Sequence, residues 1–164
     1  RETLSNELEK IENFSKTNKQ ITDEHLVKLT NLIENYSFSE LIDNCLVKNN
    51  QRLIKILNEN NFNNDDPIII TRTFLNKAKR ILNLSIEFDK NKNIDLTISN
   101  ARPPIFWKDK EMTKQQILKW KPKKIKELIY KLNDLELLIK KNFNNSVNLI
   151  TNFLLEQSSS KTNN

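Results

Sequence analysis

The chain predicts an all-α fold, and three observations carry the prediction. Apolar residues recur three and four positions apart along nearly the whole length. No stretch alternates apolar and polar residues as a half-buried strand would. The breakers fall in the gaps between the patterned segments: Asn49-Asn50, Asp66-Pro67, Pro103-Pro104 and Lys121-Pro122.

The elements follow in chain order. Leu4, Leu8 and Ile11 share one face of a first helix, which frays through the polar stretch from Ser15 to Gln20. Thr22 can cap a second helix, with Asp23 and Glu24 in the first turn where the helix dipole favours acids and Leu26, Leu29 and Ile33 as its buried stripe. Ser37-Phe38-Ser39-Glu40 has the spacing of a capping box and opens a third helix with Leu41, Ile42, Cys45 and Leu46 inward. A fourth helix carries Leu53, Ile54, Ile56 and Leu57. After the polar loop 60–66, Asp65-Asp66-Pro67 starts the longest helix, which runs to about Asp89 with Ile70, Phe74, Ala78 and Ile81 on one face and Leu75 and Leu82 beside it. A short helix covers Ile94 to Ile98.

The run Ala101-Arg102-Pro103-Pro104-Ile105-Phe106-Trp107-Lys108-Asp109-Lys110 combines a forced backbone with side chains of surface chemistry. Two prolines fix φ and push Arg102 out of the helical region, so the preceding helix stops there and a new one can begin at once. That helix reaches about Lys119. Pro122 restarts the chain into a helix with Ile125, Leu128, Ile129, Leu132, Leu135 and Ile139 on its core face. Asn142 to Asn145 form a turn, and Val147, Ile150, Phe153 and Leu154 face inward from a final helix. Residues 158–164 read as a disordered polar tail, and the one domain boundary falls near Asn35-Tyr36.

Composition excludes several classes of function. Glycine is absent, and phosphate loops and dinucleotide fingerprints need glycine for backbone N–H groups to reach a phosphate. Cys45 is the single cysteine, so an internal disulfide and a cysteine-based zinc site are ruled out; among Leu41, Ile42 and Leu46 it reads as a buried small hydrophobe. His25 is the single histidine and lacks the partners that a triad or a two-histidine zinc site requires. Asp65 and Asp66 serve a helix start rather than a metal, and Asp134 and Glu136, two apart on a helix, point to different faces. No catalytic residue, cofactor or metal is expected. No apolar run approaches the roughly 18 residues that span a bilayer, and no signal-peptide pattern is present, so a cytoplasmic location is expected and no membrane partner. The chain begins on Arg1 inside an apparent helix and reads as a piece of a longer protein.

The net charge of +6 is unevenly placed. Residues 1–100 are close to balanced, whereas residues 101–141 hold twelve Lys and Arg against five Asp and Glu. Such asymmetry points to a polyanionic partner. The abundance of Asn, Ile and Lys also has the look of a genome-wide codon bias, so part of the lysine count reflects solubility. Lys108 and Lys110 are the phosphate-contact candidates within a series that continues through Lys114, Lys119, Lys121, Lys123, Lys124 and Lys126. Trp120 reads as a core aromatic. Trp107, beside Lys108 and Lys110, reads either as a core residue organising the junction after the prolines or as an interface residue. Phe143, alone in a polar turn, either packs on Leu138 or Ile139 or stacks on a nucleobase, and its own sequence context favours packing.

Four segments, in order, resemble the δ-subunit family of the bacterial DNA polymerase III clamp loader: Ser37 to Leu46 with Phe38 and Asp43, Asp66-Pro67 followed by Ile68 to Leu75, Arg102 to Lys108, and Lys131 to Leu155 with Leu135-Glu136-Leu137 before Phe143. The resemblance implies that residues 1–35 end a small AAA+-like lid domain and residues 36–157 form a helical collar, the domain through which five subunits pack into a ring. It implies γ/τ-type and δ′-type subunits and primed DNA as partners, with Trp107 and Arg102 as interface candidates and Phe143, Lys108 and Lys110 as DNA-contact candidates. The sliding clamp would be met only through an amino-terminal domain outside this sequence. The parent would be a non-catalytic subunit of a DNA polymerase (nucleotidyltransferase) holoenzyme in replication. The rival from another class is a helical nucleic-acid-binding module that uses the basic block 102–141.

Overall fold

The computed structural model describes residues 2–17, 22 and 32–159, and the chain divides into two compact units, Arg1–Ser39 and Glu40–Asn164. The described residues form eight α-helices and no strand, the all-α architecture that the apolar spacing predicts.

In the first unit α1 spans Glu2–Thr17. It outlasts the expected fraying at Ser15, whose hydroxyl donates to the Glu12 carbonyl at 2.6 Å, and Leu8 on its expected buried face is exposed. Of the helix expected after Thr22, His25, Leu26 and Leu29 lie outside the described residues, and Ile33 belongs to the next helix. Helix α2, Leu32–Leu46, starts in the first unit and ends in the second. It corrects one expectation: Ser37 to Glu40 lie inside this helix and do not open one. The reason is local. Between Leu32 and Leu46 no proline interrupts the chain, and a Ser-x-x-Glu pattern caps only where the serine itself leaves the helical region.

In the second unit Leu41, Ile42, Cys45 and Leu46 on α2 are fully buried. α2 closes with Lys48 in the left-handed region at φ 58°, its N–H bonding Cys45 O at 3.0 Å while Asn49 N–H bonds Asn44 O at 2.9 Å. This is the Schellman closure, a position that glycine fills in most proteins because a Cβ resists it by roughly 1–2 kcal/mol. Lys92 closes a later helix in the same left-handed region, at φ 54°. A chain without glycine makes these turns with lysine.

Asn49 caps α3, Asn50–Glu59, by accepting the Arg52 N–H at 3.2 Å. Leu53 and Ile56 point inward, while Ile54 is exposed. α4, Asp66–Asn91, is the central helix; at about 1.5 Å per residue it crosses the whole domain. Asp66 holds its start by accepting the Asn63 N–H at 2.7 Å, and Pro67 sits in the first turn. Ile70, Phe74, Ala78 and Ile81 are buried as the spacing predicts, and Leu84 and Ser85 extend the stripe.

α5 covers Ile94–Asn100, a 3-10 turn covers Trp107–Asp109, and α6 covers Lys110–Lys119. α7 spans Pro122–Lys141, a second 3-10 turn Phe143–Asn145, and α8 Ser146–Ser159. α4 packs against α5, α6, α7 and α8, most extensively against α7, whose Ile125, Leu128, Leu132, Leu135 and Ile139 are all buried. Phe74 on α4 meets Phe153 on α8 edge to face, ring centroids 6.3 Å apart. Truncating one such buried side chain costs about 2–5 kcal/mol. The expected tail is corrected at its first two residues, and residues 160–164 lie outside the described residues. α8 runs through Ser159, and Ser158 is buried with its hydroxyl on the Leu155 carbonyl at 3.0 Å.

Candidate interaction surface

The double-proline segment leads to two strongly exposed aromatic side chains. Arg80 on α4 donates through Nη2 to the carbonyl of Pro103 at 2.8 Å and to that of Pro104 at 3.4 Å. Those carbonyls, which would open a helix, are thereby held by a side chain. Residues 103–106 stay non-helical, and helical structure begins at Trp107, three residues past the prolines rather than at once.

Ala101 and Ile105 are buried, so the segment is pinned at both ends, and Phe106 and Trp107 then stand outward. Phe106 is 58% and Trp107 67% exposed, with ring centroids 5.8 Å apart. Lys108 Nζ lies 5.3 Å from the Trp107 ring centroid, within reach of a cation–π contact. Trp107 therefore does not organise the junction as a core residue; Ile105 does. Arg102 is exposed, and its guanidinium donates to the Ala101 carbonyl at 3.2 Å.

Trp120 has the core position expected of it. It is 5% exposed, its indole N–H donates to the Leu46 carbonyl at 2.7 Å, and its own carbonyl accepts the Ser85 hydroxyl at 2.9 Å. One residue thus ties the α6–α7 corner to α2 and α4. A second tie, not anticipated from the sequence, is Asp43. Its carboxylate accepts from the Lys77 ammonium on α4 and from the Gln116 amide on α6 at 2.9 Å, joining three helices.

Phe143 is 44% exposed on the turn between α7 and α8. The helix end it could have closed is closed by Asn142, whose backbone N–H and side-chain amide both bond the Leu138 carbonyl, at 3.0 and 2.9 Å. Phe143 lies on a different element from Lys108, exposed in the first 3-10 turn, and from Lys110, exposed at the start of α6. Of the remaining lysine series, Lys114 pairs with Asp95 at 2.6 Å, Lys124 with Glu127 at 3.6 Å, and the Lys119 ammonium rests on the Val47 carbonyl. Acids within the fold thus offset part of the charge excess of residues 101–141.

The groups set aside as catalytic candidates have structural surroundings. Burial pushes the Cys45 thiol up to about 12, and its sulfur lies 3.5 Å from the Leu154 carbonyl, so no thiolate forms near neutral pH. Glu136 is held below the usual carboxylate range first by the Lys140 ammonium at 2.7 Å and then by Arg72 at 3.3 Å. Among the described residues no group of His, Cys, Asp or Glu is placed to hold a metal ion, and no helix is long and apolar enough to cross a membrane. No family model, no curated protein and no solved structure matches the chain.

Proposed function

We propose that the chain is the carboxy-terminal part of a δ-type clamp-loader subunit, and that its helical domain assembles a ring of such domains while contributing no catalytic group. The observation that carries the reading is the outward pair Phe106 and Trp107 beside the double proline. Two large aromatic side chains at 58% and 67% exposure, on a segment pinned by Ala101, Ile105 and Arg80, form a rigid apolar feature of the kind that marks protein–protein contacts. The ordered resemblance of residues 37–155 supplies the family. A domain built around one long helix, with three helices tied at Asp43 and three at Trp120, suits the transmission of geometry between neighbours.

In this reading Trp107, with Arg102 beside it, meets a neighbouring γ/τ-type or δ′-type subunit in the cytoplasm. Phe143 stacks at a primer–template end while Lys108 and Lys110 attract phosphate. Clamp opening belongs to the amino-terminal domain of such subunits and to no residue of this chain.

The test is reconstitution. Mixed with γ/τ-type and δ′-type subunits, the protein should co-elute as one complex, and Trp107→Ala should weaken assembly by roughly 2 kcal/mol, about thirtyfold, as expected of a hot-spot tryptophan. A protein that ignores these subunits yet binds duplex DNA would favour the second reading, a nucleic-acid-binding module built on the charge excess of residues 101–141.

A further inference from the structure

The two sides of α7 carry different chemistry. Ile125, Leu128, Leu132, Leu135 and Ile139 are buried on one side, where α4 and α8 pack. At about 3.6 residues per turn, Tyr130 and Leu137 fall in one line on the opposite side. They are 70% and 58% exposed. Roughly 10 Å of helix separates them, so a single partner can cover both.

The lysines of α7 divide in the same way. Lys124, Lys131 and Lys140 pair with Glu127, Glu156 and Glu136. Lys123, Lys126 and Lys141 are exposed on the outer side with Tyr130 and Leu137, and make no ion pair among the described residues. Asp134, exposed between the two apolar side chains, makes none either. The outer face is thus an apolar centre with a mainly basic rim, and its charge complement is an acidic surface. Leu137 has no ring to stack on a base, and Asp134 would repel a phosphate backbone, so the face fits a protein better than a nucleic acid.

A ring of head-to-tail contacts uses two different faces of each subunit. Phe106 and Trp107 supply one, fastened through Arg80 on the solvent side of α4. The line of Tyr130 and Leu137 lies on the solvent side of α7, a different helix. We propose that this outer face of α7 is the second contact of the ring, a role that rests on the clamp-loader reading. Its occupant is an acidic surface with an apolar centre, on the neighbouring subunit that Trp107 does not meet.

The test measures binding of the full chain to a γ/τ-type subunit and, separately, to a δ′-type subunit. Tyr130→Ala should weaken one pairing about tenfold, as the loss of an interface tyrosine does, and leave the other within about twofold. Trp107→Ala should do the reverse. The double reversal Lys123→Glu with Lys126→Glu should slow association only in the pairing that depends on Tyr130, and remove the slowing of that pairing by salt. These side chains are exposed, and an unchanged thermal melt checks that each variant is folded. Losses for Tyr130→Ala and Trp107→Ala on the same subunit would overturn the two-face assignment while leaving the clamp-loader reading intact. So would a charge reversal that speeds association, since the partner would then be basic. Tyr130→Ala without effect on either pairing would also overturn it, and weaker binding of a single-stranded oligonucleotide by that variant would give the face to nucleic acid. A wild-type chain that binds neither subunit would overturn the reading and this contact together.

Discussion

The two tryptophans of this chain sit in similar local sequences and opposite environments. Trp107 follows two prolines and precedes Lys108; Trp120 follows Lys119 and precedes Lys121-Pro122. Each has a lysine ammonium 5.3 Å from its ring centroid. Yet Trp120 is 5% exposed and Trp107 67%. The difference comes from what surrounds each backbone. At the second corner Leu46 offers a carbonyl to the indole N–H and Ser85 binds the Trp120 carbonyl, so a large ring with one polar atom is buried with that atom satisfied. At the first corner Ile105 takes the buried place and Arg80 fixes the proline carbonyls, which leaves the next two side chains outside. One tryptophan is a fastening within the domain, and the other is available to a second molecule.

Three substitutions sharpen that contrast. Trp120→Ala should cost about 3–5 kcal/mol in a urea melt, the usual loss for a buried aromatic ring. Trp120→Phe keeps most of the ring and removes only the N–H, leaving the Leu46 carbonyl without its donor; about 1–3 kcal/mol is expected, with an unchanged dependence on denaturant. Trp107→Ala should change stability by less than about 0.5 kcal/mol, as exposed positions do, while weakening the proposed assembly about thirtyfold. A loss above about 2 kcal/mol at Trp107 would erase the contrast and return that ring to the core.

The long helices were the most legible part of the fold. Ile70, Phe74, Ala78 and Ile81 on α4 and the five buried positions of α7 follow a spacing that only one secondary structure satisfies, over enough turns for the pattern to repeat. Helix starts were less legible because their signals are short and depend on context. Ser37-x-x-Glu40 has a capping spacing but lies mid-helix, and the turn after Pro104 is delayed by Arg80, a residue whose role cannot be read from the segment it controls. Ser158 looked like tail, and only the packing of α8 buries it. Of the candidate surface, the exposure of Lys108 and Lys110 agrees with their local sequence, whereas Phe143, whose context favoured packing, is exposed. The seat of the Lys119 ammonium on the Val47 carbonyl, and the bonds of Asp43 to Lys77 and Gln116, left no local trace. Such contacts between distant segments arise from tertiary packing, and a pattern search along the chain does not see them.

The left-handed lysines at 48 and 92 have a counterpart in the unfolded chain. Glycine is the residue with the most freedom in a denatured polypeptide, and each non-glycine residue in its place narrows the ensemble that folding must collapse. A sequence of 164 residues with no glycine therefore starts its folding from a comparatively stiff coil. It loses less entropy on ordering, and among the described residues the cost of that economy falls at Lys48 and Lys92, where a helix ends against the preference of its own Cβ. Stability of this kind is invisible in any count of native contacts, because it resides in the conformations that the disordered chain never had.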